Sequence, residues 1–205
     1  MGPYFALLRP GNGVVAAAAV VAGALAGVGP SALAAQSAAR VALGCAAAFA
    51  FIGAGNALND YFDRETDKVA HPTRPIPAGR IPALHGLWVS AGLFVLSLAL
   101  SAVLSLGALL VVATSALVML AYERRLKAAG LPGNLAIAYL SGITFLFGGV
   151  IVDGAAAALP IAAVAVLASV GREVAKDIGL FPFLPIGMRW FAGASRGRPE
   201  PTEAV

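Results

Sequence analysis

The sequence predicts an all-α, multi-span membrane bundle of about six spanning helices. Three observations predict it. Of the 205 residues, 60% are hydrophobic and only 12% charged, against about a quarter charged in an ordinary soluble domain. The apolar residues fall into six runs, each near the roughly 20 residues that cross a bilayer as a helix. The charges gather in the gaps and at the ends of the runs, and mostly at every second gap.

The runs are 14–35, 38–60, 83–104, 107–122, 133–152 and 157–176. The first ends near an Ala-x-Ala-like triplet in "SALAAQS", but it exceeds the 7–15 apolar residues of a secretory leader, so it is expected to span. The third and fourth are separated only by "SLG" at 105–107, and the fourth is short, so it is expected to tilt or to join its neighbour through a tight turn. Glycine and alanine are abundant in most of the runs. Small residues let helices approach closely in lipid, where packing drives association. After Ile178 the pattern changes. "GLFPFLPIGMRWFAG" is apolar, carries Pro182 and Pro185 and is too short to span, and "ASRGRPEPTEAV" has the composition of a solvated, disordered tail. The expected division is a membrane domain at 1–178 and an atypical segment at 179–205.

Arg9 precedes the first run. Arg64, Lys68, Arg74 and Arg80 follow the second, Arg124, Arg125 and Lys127 the fourth, and Arg172 and Lys176 end the sixth. The opposite gaps hold only Arg40 and Asp153. The positive-inside rule then places the N-terminus and all the charged loops in the cytoplasm, on a multi-pass protein of the cell membrane. A net charge of +4 arranged this way is not a nucleic-acid signature, and the single cysteine, Cys45, allows no internal disulfide and argues against a cysteine metal site.

The second run ends in "NDYFDRETD", where Asp60, Asp63, Glu65 and Asp67 crowd around Arg64. On a continuous helix Asn59, Asp63 and Asp67 lie at i, i+4 and i+8 on one face, with Asn56 and Asp60 close by. Converging oxygen ligands suit a hard cation, and Mg²⁺ commonly takes one or two carboxylates plus phosphate oxygens and water. The alternative, a solvated helix end, places acids where the helix dipole disfavours them. "HPTRPIPAGRI" follows, its prolines predicting a stiff, extended loop that carries Arg74 and Arg80, whose forked guanidiniums fit phosphate oxygens. Contact with anionic lipid is the competing role for that loop. His71 is not singled out as a ligand. In "YERRLKAAGLPGN", Lys127 is a candidate phosphate contact, Arg124 and Arg125 serve the charge bias, and Asn134 is read as an N-cap. In "GREVAKDI", Glu173 with Asp177 and Arg172 with Lys176 form adjacent acidic and basic stripes. Facing the first cluster they would frame a cavity for Mg²⁺-bound diphosphate; otherwise they are a salt-bridged helix end.

In order, "LLRPGN", "NDYFDRETD", "RPIPAGRI", a Tyr…Leu-Lys…Gly-Asn loop and "REVAKDI" resemble the UbiA superfamily of intramembrane prenyltransferases across roughly residues 1–178. Within it the motifs look most like those of enzymes of archaeal ether-lipid synthesis. The resemblance implies that Asn59, Asp63 and Asp67, with Asp60 nearby, bind Mg²⁺ on the diphosphate of a prenyl donor. It implies that Glu173 and Asp177 belong to a second metal motif, and that Asp63, Asp67 and Lys127 carry catalysis. Arg74, Arg80, Lys127 and Lys176 would contact substrate phosphates. Tyr139, Phe145 and Phe147 are candidate faces toward allylic cation character. The implied reaction transfers geranylgeranyl from its diphosphate to the hydroxyl of a geranylgeranylglyceryl phosphate acceptor. The partners are prenyl diphosphate, a lipid-phosphate acceptor and membrane lipids, with no nucleic acid. An aromatic acceptor, and a shortened non-catalytic protein, are the other expectations. The second motif departs from the family at Gly179 and Leu180, where acids are expected, and about three further helices of the family pattern are expected to be absent.

Overall fold

The computed structural model describes residues 2–177, with the side chains of Ala35, Gln36 and Asp177 outside that description. The expectations for 179–205 therefore lie outside the described residues. Within them the chain is helical, with no strand. A short α1 (Pro3–Leu8) leads into α2 (Pro10–Val28), which runs on as a 3₁₀ turn to Leu33. Then come α3 (Ala35–Phe62), the four-residue α4 (Asp67–Ala70), α5 (Ala83–Leu104) and α6 (Leu106–Ala121). A π-helical turn at Tyr122–Leu126 continues α6, and α7 (Leu131–Val150) and α8 (Ala155–Asp177) complete the order. Six of these helices, with their extensions, are long and apolar enough to cross a membrane. The break between the third and fourth spans is one residue, Ser105, which is extended and whose hydroxyl accepts from Ala108 N–H at 3.0 Å to cap α6.

Neighbouring packing runs from α2 to α3, α3 to α5, α5 to α6, α6 to α7 and α7 back to α2. This closes a ring, and α8 lies outside it against α7 and α2. The most buried span is α3: 56% of its apolar window is covered, against 17% for α5 and α8, whose outer faces are left for lipid. Close approach explains the glycines. A Cβ on Gly23 of α2 would strike the carbonyl of Phe145 on α7, and one on Gly148 would strike the carbonyl of Val20. Between α3 and α5 the seam is also polar. Ser90 donates to the Ala54 carbonyl at 2.9 Å and Ser97 to the Ala47 carbonyl at 2.8 Å, satisfying hydroxyls that have no water to turn to in hydrocarbon.

Two expectations change. Asn134 is not the N-cap of the fifth span. The helix begins at Leu131 behind Gly130 (φ +66°), and Asn134 N–H already donates to the Gly130 carbonyl at 3.1 Å. The 71–81 loop is not extended. The N–H groups of Arg80 and Ile81 both donate to the Pro75 carbonyl, at 2.9 and 3.2 Å, and Gly79 takes the left-handed φ (+69°) that the reversal requires. The prolines fix φ but leave room for turns. What winds the loop up is Ile76 and Ile81, both buried with Leu7 of α1 and Ala57 of α3.

A candidate diphosphate site at the charged end of the bundle

The loops that carry the acid cluster and its basic partners meet at one end of the ring. There α3 stops. Its last residue is Phe62, Asp63 sits at the C-cap with ψ near 3°, and Asp67 opens α4. The predicted single stripe of Asn59, Asp63 and Asp67 is thus broken between Asp63 and Asp67, where Thr66 Oγ1 donates to the Asp63 carbonyl at 2.9 Å. Asp67 N–H still donates to the Asp63 carbonyl at 2.8 Å, so the chain keeps its heading through the break.

The break sorts the acids into two neighbouring groups. In the first, Asn59 of α3 donates from Nδ2 to Asp63 Oδ2 at 3.0 Å and to both Glu123 oxygens, at 3.2 and 3.3 Å. Lys127 pairs with Asp63 and reaches Glu123 Oε2 at 3.5 Å. In the second, Arg74 pairs with Asp67 and lies 3.7 Å from Asp60 Oδ1. His71 Nδ1 is 3.0 Å from Asp67 Oδ1, and because a carboxylate only accepts, that nitrogen carries the hydrogen. Arg9 pairs with Asp60 from the joint between α1 and α2. Arg9 takes a left-handed φ of +47°, a conformation that costs a non-glycine residue about 1–2 kcal/mol. Leu7, fully buried beside Ala57, and Asn56 Nδ2, donating to the Leu8 carbonyl at 2.8 Å, hold the joint there. Burial pushes the Arg9 guanidinium below its ordinary value, opposed by the charge of Asp60, and it stays cationic because that value starts so high.

Each expected residue can now be located. Asn59, Asp63 and Lys127 are together, as are Asp60, Asp67 and Arg74. Asp60 is fully buried; its Oδ1 faces two guanidiniums and its Oδ2 has no protein partner. Arg80 is outside the cluster: it is exposed, and its guanidinium donates to the Thr73 carbonyl, bracing the loop. Glu173 is buried and pairs with Lys176 and, at 2.8 Å, with Arg172. Asp177 ends α8, and its side chain lies outside the described residues. Tyr122 lies within electrostatic reach of Glu123, Asp63, Glu173 and Arg172, so both acid motifs border one region. Asn56 serves the α1–α2 joint rather than the acid face.

Three participants are not found from the sequence: Arg9 as the partner of Asp60, His71 as a brace on Asp67, and Glu123. A signal for Glu123 exists. It is the only acid between Asp67 and Asp153, and it stands four residues before Lys127.

Among the described residues no three Asp, Glu, His or Cys side chains lie close enough to hold a metal ion by themselves. The donor set is nonetheless all hard oxygen. Pairs such as Asp63 with the Asn59 amide, and Asp67 across the break, match the one or two carboxylates that Mg²⁺ takes when phosphate oxygens and water complete its shell. An unpartnered buried oxygen on Asp60 adds to the negative potential behind them. The residues fit a metal that arrives with a diphosphate better than a resident one.

Beneath this rim lies an apolar, partly open cleft between α2, α3, α6 and α7, lined by Ala16, Phe51, Ile52, Met119, Ile143 and Phe147 among others. Ile52 is seven residues below Asn59 on α3, about 10 Å at 1.5 Å per residue. Of the three candidate aromatics only Phe147 lines the cleft. Tyr139 is tied to Thr114 by a 3.1 Å hydroxyl contact, and the Phe145 backbone packs against Gly23.

Comparison with known proteins agrees with this geometry. The sequence profile of the UbiA prenyltransferase family matches residues 14–179. A digeranylgeranylglyceryl phosphate synthase of Methanothrix thermoacetophila is 38% identical over 176 residues, covering 86% of this chain and 64% of that protein. One of Natronomonas pharaonis is 40% identical over 175 residues, covering 84% and 61%. The chain thus spans less than two thirds of the length of these curated relatives. A solved structure from work on digeranylgeranylglyceryl phosphate synthase in membranes superposes with a TM-score of 0.80 at 28% identity, over 93% of this chain and 71% of that one.

Proposed function

Because this chain belongs to the UbiA prenyltransferase family, we propose that it transfers a geranylgeranyl group from geranylgeranyl diphosphate to the hydroxyl of geranylgeranylglyceryl phosphate, an ether-forming step of archaeal lipid synthesis, with Mg²⁺ as cofactor. The observation that carries this reading is the juxtaposition of a polar rim, built from four separate segments, with an apolar cleft about 10 Å below it. A diphosphate head and a prenyl tail need those two environments one after the other along the bundle. The relatives of matching sequence carry the same activity in their names.

The chemistry follows from where charge moves. The C–O bond to the diphosphate breaks, the leaving group keeps the electron pair, and the allylic carbon becomes cationic. The acceptor oxygen then bonds to that carbon and gives up its proton to the leaving diphosphate. Bound Mg²⁺ supplies neutralisation of the leaving group's charge. Asn59, Asp63 and Asp67 would hold it, with Glu173 and Asp177 as the second acidic pair, and membrane domain 1–178 is the unit that carries the site. Arg74 and Lys127 now pair with Asp67 and Asp63. They are placed to exchange those carboxylates for diphosphate oxygens, keeping the site close to neutral in both states. Phe147 lines the cleft beside Gly44, about 22 Å along α3 from Asn59, so it flanks the prenyl tail rather than the reacting carbon. The apolar wall keeps water from the allylic carbon. The positive-inside rule puts this rim and the N-terminus in the cytoplasm of a multi-pass cell-membrane protein.

The test is transfer from labelled geranylgeranyl diphosphate by the membrane-embedded chain, with Mg²⁺ or with chelator, offering geranylgeranylglyceryl phosphate and, separately, an aromatic quinone precursor. Metal-dependent ether product on the glyceryl phosphate supports the assignment. Product only on the aromatic acceptor moves the chain to another branch of the family, and no product on either removes the proposed activity.

A further inference from the structure

Glu123 is a carboxylate in an odd place. It is one turn inside the membrane-grade helix that α6 and its π-helical turn form, and its side chain is only 3% exposed. Both its oxygens accept from the Asn59 amide. Asn59 Nδ2 is therefore held between two carboxylates, those of Asp63 and Glu123. Since carboxylates only accept, the end of the amide between them must be the NH₂, and Oδ1 is turned the other way.

We propose that Glu123 is a positioning residue: it fixes the amide of Asn59 so that Oδ1 stays available as an oxygen ligand for the metal of the metal–diphosphate complex. The inference rests on the functional reading above. Asp63 alone does not do this job. Once Asp63 is committed to a cation its oxygen is no longer free for the amide, and Glu123 is the remaining acceptor that keeps the NH₂ from turning inward. The π-helical turn explains how Glu123 gets there. Lys127 N–H donates to the Tyr122 carbonyl at 3.0 Å, five residues back. The widened turn lets Glu123 and Lys127, four apart, both reach the α3 end. Glu123 also lies 3.5 Å from Lys127, so an effect through Lys127, or through loss of negative charge alone, has to be separated from one through Asn59.

A double-mutant cycle separates them. Binding of Mn²⁺ with inorganic pyrophosphate is measured by calorimetry on the detergent-solubilised chain and its Glu123→Gln, Asn59→Ala and doubly substituted forms, with a thermal melt of each. Loss of an outer-shell partner typically costs 10–100-fold in metal affinity. We expect at least about tenfold weaker binding for Glu123→Gln, little further loss when it is added to Asn59→Ala, and partial recovery with Glu123→Asp. Equal loss in both backgrounds means that Glu123 acts through charge, through Lys127 or through the fold, and overturns the inference. Binding by Glu123→Gln as tight as the parent's also overturns it while leaving the functional reading intact. A parent chain that binds no Mn²⁺–pyrophosphate overturns that reading, and this inference with it.

Discussion

The two ends of the bundle use the same ion-pair chemistry to different effect. At the far end one pair among the described residues, Arg40 with Asp153 at 2.7 Å, joins the start of α3 to the α7–α8 turn, and its side chains are 36% and 76% exposed. At the charged end Asp60 and Asp67 are at most 5% exposed, and each faces more than one cation or donor; one partner of Asp60, Arg9, lies 51 positions away in sequence. A water-exposed pair gains little because solvent competes for both partners. A buried, shared network is costly to break. The difference teaches that the polar rim is part of the fold before it is a site: removing one of its charges leaves another uncompensated.

The predictions grade this contrast. The largest effect is expected from Asp63→Ala combined with Asp67→Ala, which removes one carboxylate from each half of the rim. Prenyl transfer is expected to fall to the background of empty membranes; turnover near the parental rate would show that the rim is not where the diphosphate reacts. Next comes Asp60→Ala, which strands Arg9 in its left-handed conformation without its partner. Removing one member of a buried pair typically costs about 3–5 kcal/mol, to be read as a lowered melting temperature in detergent, with Asp60→Asn losing less. Arg40→Ala is expected to cost no more than about 1 kcal/mol in the same melt, with transfer unchanged. If it matches Asp60→Ala, burial is not what separates the two ends. The smallest effect is at Glu65. Its carboxyl is fully exposed and is held below its ordinary value by the hydrogen bond and charge of Lys68. A depressed carboxylate stabilises above its unfolded value and loses that contribution as the pH falls through its folded one. Glu65→Gln is therefore expected to alter the melt near neutral pH only marginally and to leave it unchanged in acid.

Much of this was legible in the sequence, and the parts that were not share a cause. The spans came from runs of apolar residues, a local property, and agree with the helices to within about five residues at each end. The gathering of acids at the end of α3 was legible because Asn59, Asp60, Asp63 and Asp67 are packed into nine residues. The break at Asp63 was not, because an i, i+4, i+8 spacing reads as one stripe whether or not the helix continues. The compact 71–81 loop was missed for a similar reason: its prolines are visible, but the burial of Ile76 and Ile81 against Leu7 and Ala57 is tertiary. Arg9, 51 positions from Asp60, and Glu123, 64 positions from Asn59, join the site only once the ring closes.

The central claim is that a divalent metal joins the diphosphate to the carboxylates at the end of α3. Its most direct test is equilibrium binding of labelled geranylgeranyl diphosphate to the membrane-embedded chain and to Asp63→Ala, as Mg²⁺ is raised from chelated levels. The account predicts that the parent retains the donor only with the metal present, and that Asp63→Ala needs at least about tenfold more Mg²⁺ to do so. Equally tight retention in chelator, or by Asp63→Ala at the parental metal concentration, would contradict it.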